Sequence, residues 1–295
     1  MQIVRESAEH HFLTLLDRMK REPGDWAGIL CGFSRRIDHD TLVGDLTQLQ
    51  PRLAEIRQES AAFLEDVAKK AERFNDPVIY QFADSDILLV TKPNVDGEKD
   101  SFYTLFKEIS GSMKSGLIDY VNLGRDVINA QKLADRKFLA QKKVHSYAAL
   151  GDANRVASIN LRRQRRDNAV ILIVEDDRFT ATYTTNILSK VYEVVHAKSG
   201  EEAILAYIDH APDAVFLDIH LPGIDGHETL SAIRQADPEA YVVMLSVDTV
   251  KPNIVSATSR GASGFLKKPF SKERILAIAE KSPFIRGTKS VSSGS

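Results

Sequence analysis

A chain of 295 residues, 43% of them hydrophobic, is long enough for two packed cores and a connector, and its formal charge of −2 carries no global bias toward nucleic acid. Its one cysteine, Cys31, excludes an intramolecular disulfide and fits a reducing compartment, so a cytoplasmic protein is expected. No apolar run reaches the length of a membrane-spanning helix, and the first residues do not read as a secretory signal.

In chain order, residues 6–20 place Phe12, Leu13, Leu15, Leu16 and Met19 at helical spacing. Residues 26–33 read as a buried strand. Residues 45–74 predict a long amphipathic helix through Leu49, Leu53, Ile56, Phe63, Leu64, Val67 and Ala71. Two strand runs, 78–82 and 87–90, flank Ala83-Asp84-Ser85-Asp86, the pattern of a hairpin, and a further helix begins near Ser101. Together they predict a compact α+β module over residues 1–112. Its pattern loosely resembles a degenerate diguanylate-cyclase-type domain, whose Gly-Gly-Asp-Glu-Phe turn would fall at Ala83 to Ile87. Both glycines, which let a backbone approach a nucleotide phosphate, are missing, so the resemblance implies no cyclase activity. A nucleotide or cyclic-dinucleotide binder and an unassigned α/β module remain the readings of this half.

Residues 113–168 read as a helical connector, with Leu117, Val121, Ile128 and Phe138 on a partial stripe that keeps no strict heptad. A spacer helix and a homodimerising helix are both compatible with it. Between Gln131 and Arg166 lie ten basic residues (Lys132, Arg136, Lys137, Lys142, Lys143, Arg155, Arg162, Arg163, Arg165 and Arg166) and two acids (Asp135 and Asp152), ten minus two giving +8. The run reads as a solvated basic linker, as a contact for DNA phosphates, or as a strap over an acidic pocket.

From Val170 the pattern changes. Val170-Ile171-Leu172-Ile173-Val174 runs straight into Glu175-Asp176-Asp177, and Val215-Phe216-Leu217 runs into Asp218-Ile219-His220-Leu221-Pro222-Gly223. Such runs read as strands buried on both faces of a parallel sheet, and ligands of open α/β sheets sit at the carboxyl ends of those strands. Carboxylates gathered there repel one another and call for a cation; hard oxygen ligands suit Mg²⁺. Tyr241 to Leu245 is another buried run ending at Ser246, and Gly264-Phe265-Leu266-Lys267-Lys268-Pro269-Phe270 is a short strand ending in Lys-Pro. Strands at 170–174, 192–197, 213–218, 241–246 and 264–267 alternate with helices near 178–190, 200–209, 226–236, 249–260 and 271–281, which specifies a doubly wound parallel sheet. Ser199 suits a helix cap, and Asp237-Pro238 ends the third helix. From Ser282 on, small polar residues predict a frayed tail, with 285–295 flexible.

The four motifs in this order, over residues 169–284, resemble the receiver domain of two-component response regulators. The resemblance implies a flavodoxin-like, five-stranded fold that is not an enzyme beyond its own phosphoryl transfer. It implies Asp218 as phosphoacceptor, Asp176 as a direct Mg²⁺ ligand and Glu175 as one acting directly or through water. Asp218 would add another metal oxygen and His220 only its backbone carbonyl. Lys268 and Ser246 would meet the transferred phosphoryl oxygens, with the Lys268–Pro269 bond cis. Ser246 and Phe265 would form the switch pair, where many members carry Thr and Tyr. Asp177 receives no role, and His196, His210 and His227 lack metal-ligand spacing and are expected to face solvent. The implied partner is a sensor histidine kinase or phosphotransfer protein. Output could pass through protein contacts of the N-terminal half, through DNA bound by the basic connector in a transcriptional regulator, or through a bound nucleotide.

Overall fold

The computed structural model describes residues 1–22, 24–36, 46–93, 98–112, 117–124, 126–247 and 261–285. They fall into two compact units, divided between Val144 and His145.

The first unit contains β1 (Gln2–Val4), α1 (Ala8–Arg21), β2 (Ala27–Cys31), α2 (Leu46–Ala71), β3 (Val78–Gln81), β4 (Ile87–Thr91), α3 (Glu98–Ser112), β5 (Ile118–Asn122) and most of α4 (Val127–Leu150). The sheet order is β1-β3-β4-β2-β5. Strands β2 to β5 with α2 and α3 make a split β-α-β-β-α-β unit of ferredoxin-like topology, antiparallel throughout, to which β1 adds a parallel edge. Alternate side chains of a strand face opposite sides. Leu88 and Val90 therefore pack with Phe12, Leu16 and Leu133 of α1 and α4, while Ile87 and Leu89 pack with Ile56, Leu64, Phe102 and Leu105 of α2 and α3.

One expectation changes here. Residues 118–122, assigned to the helical connector, pair with β2 as an edge strand. Ile118-Asp119-Tyr120-Val121-Asn122 is half-buried and mixes polar with apolar residues, which gives no continuous apolar run to mark a strand. The hairpin turn at 83–86 is closed. Asp84 and Asp86 are buried, and the Lys137 ammonium from α4 lies against both, 2.8 Å from Asp84 Oδ2. Ser34 donates its backbone N–H (2.6 Å) and hydroxyl (3.0 Å) to Asp86. Glu9 of α1 accepts the Ala83 N–H at 2.9 Å and a Gln141 amide N–H at 3.2 Å. Burial pushes the Asp84 carboxyl above its ordinary range against the pull of Lys137. The turn is filled by the chain's own charges.

The second unit holds α5 (Ala153–Ala157), α6 (Ile159–Gln164), β6 (Val170–Val174), α7 (Arg178–Leu188), β7 (Glu193–Ala197), α8 (Gly200–His210), β8 (Ala214–Asp218), α9 (Gly226–Ala236), β9 (Val242–Ser246), β10 (Gly264–Lys267) and α10 (Lys272–Ala279). All five strands are parallel in the order β7-β6-β8-β9-β10, the flavodoxin-like order that the resemblance implied. Ile171, Ile173, Phe216, Val243, Leu245 and Leu266 form one core with Ile187, Leu188, Ile275 and Ala279 of α7 and α10. The intervening Leu172, Val215, Leu217 and Met244 are equally buried, as are Ile204, Leu230 and Ile233 of α8 and α9. The helix expected at 249–260 lies outside the described residues.

Within the basic run, Lys132, Arg136, Lys142, Arg155 and Arg165 are exposed, but Arg162, Arg163 and Arg166 are not solvated linker residues. Arg162 donates to the carbonyls of Ile208 (2.7 Å) and Asp209 (2.8 Å), Arg163 to that of Pro212 (2.9 Å), and Arg166 to those of His210 and Ala211. The carbonyls of Ile208, Asp209 and His210 are ones that the end of α8 leaves without helical partners, at the negative end of its dipole, and those of Ala211 and Pro212 follow directly. Arg163 is 6% exposed; it pairs with Asp237 at 2.6 Å and lies 4.4 Å from the Phe284 ring centre. Tyr207 closes the network by donating to Asp237 at 2.7 Å. Arg166 reaches Asp213 at 2.9 Å. The arginines thus sit at the amino ends of the strands, away from the acids at the carboxyl ends. Ser282 and Ile285 are buried beside them, so the frayed tail does not begin at Ser282; residues 286–295 lie outside the described set.

Replacing Lys137 by Met strands two buried carboxylates against each other. The expected loss from the first unit is about 3–5 kcal/mol, read as a lower urea midpoint. An unshifted midpoint would show that the cluster is solvated rather than locked.

Candidate functional site

The acids stand where two adjacent strands end. Glu175 follows the last residue of β6, and Asp218 is the last residue of β8; the β6–β8 register sets Val174 beside Leu217, so the two acids emerge together. One ligand oxygen each from Glu175, Asp176 and Asp218 lies within 4.8 Å of the others. Glu175 and Asp218 are buried and Asp176 is exposed, so the group has a closed floor and an open mouth.

Lys268 comes from the other side. The β9–β10 register pairs Lys267 with Ser246, and the Lys268 N–H donates to the Ser246 carbonyl at 2.8 Å. The bond from Lys268 to Pro269 is cis. The Lys268 ammonium lies 3.0 Å from Asp218 Oδ2 and also pairs with Glu175. Asp218 Oδ1 takes the Ile219 N–H at 2.8 Å, so one of its oxygens meets the backbone and the other the ammonium. Three carboxylates face one lysine, and the donor set is of hard oxygens only. That is the chemistry that fits a small divalent cation such as Mg²⁺.

Ser246 is fully buried at the end of β9, and Phe265 is half-buried on β10 beside Met244. His220 is exposed. Asp177, unassigned from sequence, is the N-cap of α7, with its carboxylate accepting the Thr180 N–H at 2.8 Å; the Asp-x-x-Thr spacing carried that signal. The same hydrogen bond holds its carboxyl below the usual range. Of the three histidines expected in solvent, His210 is exposed, His227 is half-buried, and His196, itself exposed, bonds through Nε2 to the Glu175 carbonyl at 2.9 Å. Sequence reasoning also passed over Glu201, an acid in the first turn of α8 that is buried against the loop leaving Asp218.

A doubly wound parallel sheet with a carboxylate group at its central strand ends and a lysine after its last strand defines a receiver domain. Comparison with known proteins agrees. The response regulator receiver domain model matches residues 171–280. Chemotaxis protein CheY of Listeria monocytogenes is 41% identical over 113 residues, covering 38% of this chain and 95% of that protein. Nitrogen assimilation regulatory protein NtrX of Azorhizobium caulinodans is 35% identical over 114 residues, 38% of this chain and 25% of its own length. A solved structure of chemotaxis protein CheY4 of Vibrio cholerae aligns with a TM-score of 0.38 at 26% identity, covering 39% of this chain and 98% of that one. The chain belongs to the response regulator receiver family of two-component signalling, through its second unit.

Burial pushes the Glu175 carboxyl up to about 7, with Asp218 adding to the rise and Lys268 opposing it. A carboxyl whose folded value exceeds the ordinary ~4.3 of Glu is stabilising when protonated. That contribution is complete below the ordinary value and is lost as pH rises through about 7. Thermal unfolding of the metal-free protein should therefore fall across this window, and Glu175→Gln should flatten the slope. An unchanged slope would assign the dependence to another group.

Proposed function

We propose that this chain is a response regulator whose Asp218 accepts a phosphoryl group from a sensor histidine kinase or phosphotransfer protein. One observation carries the reading: Asp218 Oδ2 stands 3.0 Å from the Lys268 ammonium within a cluster of three carboxylates. An Asp218 oxygen attacks the phosphorus of a donor phosphohistidine; the new O–P bond forms as the P–N bond breaks, and the imidazole leaves and takes up a proton. Glu175 and Asp176 would hold Mg²⁺ together with Asp218 and the His220 carbonyl. When bound, Mg²⁺ neutralises charge on the transferred oxygens. Lys268 releases its contact with Glu175 to meet one phosphoryl oxygen, and the Ser246 hydroxyl donates to another.

The switch follows from that last step. Movement of Ser246 toward the phosphate leaves room for Phe265, which lacks a hydroxyl to anchor an inward rotamer, so phosphorylation acts by shifting a population. Output passes through protein contacts rather than through DNA or a nucleotide: Arg162 and Arg166 already cap α8, Arg163 is buried against Asp237, and the 83–87 turn is closed by Lys137.

Asp218→Asn should abolish base-labile label from acetyl phosphate in the presence of magnesium; retained label would mean that another residue is the acceptor. Lys268→Ala should leave labelling measurable while weakening beryllofluoride binding by about tenfold to a hundredfold, the range of one charge-assisted hydrogen bond.

A further inference from the structure

The loop from Asp218 to α9 is fastened at two places. At its root the Gly226 N–H donates to the Ile219 carbonyl at 3.0 Å, and a Cβ on Gly226 would stand 2.1 Å from the Asp218 carbonyl oxygen. At its far side the fastening comes from α8. Glu201, 1% exposed, turns away from solvent and accepts the Ile224 N–H on Oε1 at 3.1 Å. Gly200 lies as close: a Cβ there would stand 2.3 Å from the Ile224 carbonyl oxygen. Gly223, at φ +82°, passes directly over the carboxylate, where a Cβ would come within 2.4 Å of Glu201 Oε1.

A glutamate in the first turn of a helix ordinarily faces water and gains from the helix dipole there. Glu201 does not; its Oε2 is buried with no hydrogen-bond partner among the described residues. Burying a carboxylate that is only half satisfied is costly, and a feature that costly calls for a use. Its neighbour Glu202 shows the ordinary arrangement, half-buried and bonded to the Lys198 N–H at 3.0 Å. What Glu201 secures is the segment that carries the His220 carbonyl and begins at Asp218, whose own Oδ1 depends on the Ile219 N–H.

We propose that Glu201 is a positioning residue for phosphoryl transfer: it touches no reacting atom, but by holding the 219–225 loop down on α8 it fixes the His220 carbonyl, which that loop would present to the metal beside Asp218. The inference rests on the phosphoacceptor reading above. It requires reach rather than charge. Glu201→Gln keeps a carbonyl acceptor at the same distance from Ile224, whereas Glu201→Asp keeps the charge and withdraws the acceptor by one methylene.

The test is calorimetric titration of the full chain with magnesium chloride, with a thermal melt of each variant alongside. Glu201→Gln should bind magnesium within about twofold of the unsubstituted chain, while Glu201→Asp and Glu201→Ala should bind about tenfold more weakly, the scale of one lost hydrogen bond in the positioning loop. Backbone exchange at Ile224 should quicken in the latter two only. If Glu201→Ala unfolds, the Gln and Asp pair still decides. Magnesium affinity of Glu201→Asp equal to that of the unsubstituted chain, whatever the melt does, would make Glu201 a packing residue and overturn the proposal. Equal weakening in Gln and Asp would overturn it too, since charge would then be what matters. If the unsubstituted chain takes up no magnesium, or if Asp176→Asn takes it up as well, the phosphoacceptor reading itself has failed.

Discussion

Repulsion between carboxylates at the ends of neighbouring parallel strands is the constraint on which the second unit depends. The β6–β8 register leaves Glu175 and Asp218 no freedom to separate, because the strands beneath them are fully buried and close-packed. A single ammonium, Lys268, offsets part of that charge. Burial, with the nearby Asp218 charge adding to it, raises the affinity of Glu175 for a proton, and the uncompensated charge suits a divalent cation.

Two other buried charge groups behave differently, and the contrast is informative. Asp84 and Asp86 meet Lys137 and Ser34 in a closed turn, and Asp237 meets Arg163 and Tyr207 under Phe284. There the partners are supplied by the chain and sealed from water, so these groups lock packing and specify geometry. At the acidic cluster Asp176 stays exposed and the balance is incomplete. Openness separates a site from a lock.

Much of the second unit was legible in sequence because its strands are uninterrupted apolar runs and each site residue stands at the end of one. The first unit was harder. Strand β5 hides in Ile118-Asp119-Tyr120-Val121-Asn122, where an edge position relaxes the demand for apolar side chains, and β1 is three residues long. The arginines after Arg155 misled for a different reason. Their charge is visible in the sequence, but the carbonyls that they satisfy lie more than forty residues further along the chain, at the end of α8. Glu201 escaped notice because a first-turn acid has an ordinary explanation, and only its burial against Gly223 removes it. Asp177 shows the reverse: its local spacing sufficed to fix its place.

The arginine cap also redraws where this receiver can be severed or grafted. A fragment started at Ala169, just ahead of the first strand, would leave the carbonyls of Ile208 to Pro212 facing water and Asp237 sealed in without its cation. The second unit begins at His145, ahead of the helices that bear those arginines. Chimaeras that splice at the strand would inherit a weakened scaffold whatever sensor or output they were joined to.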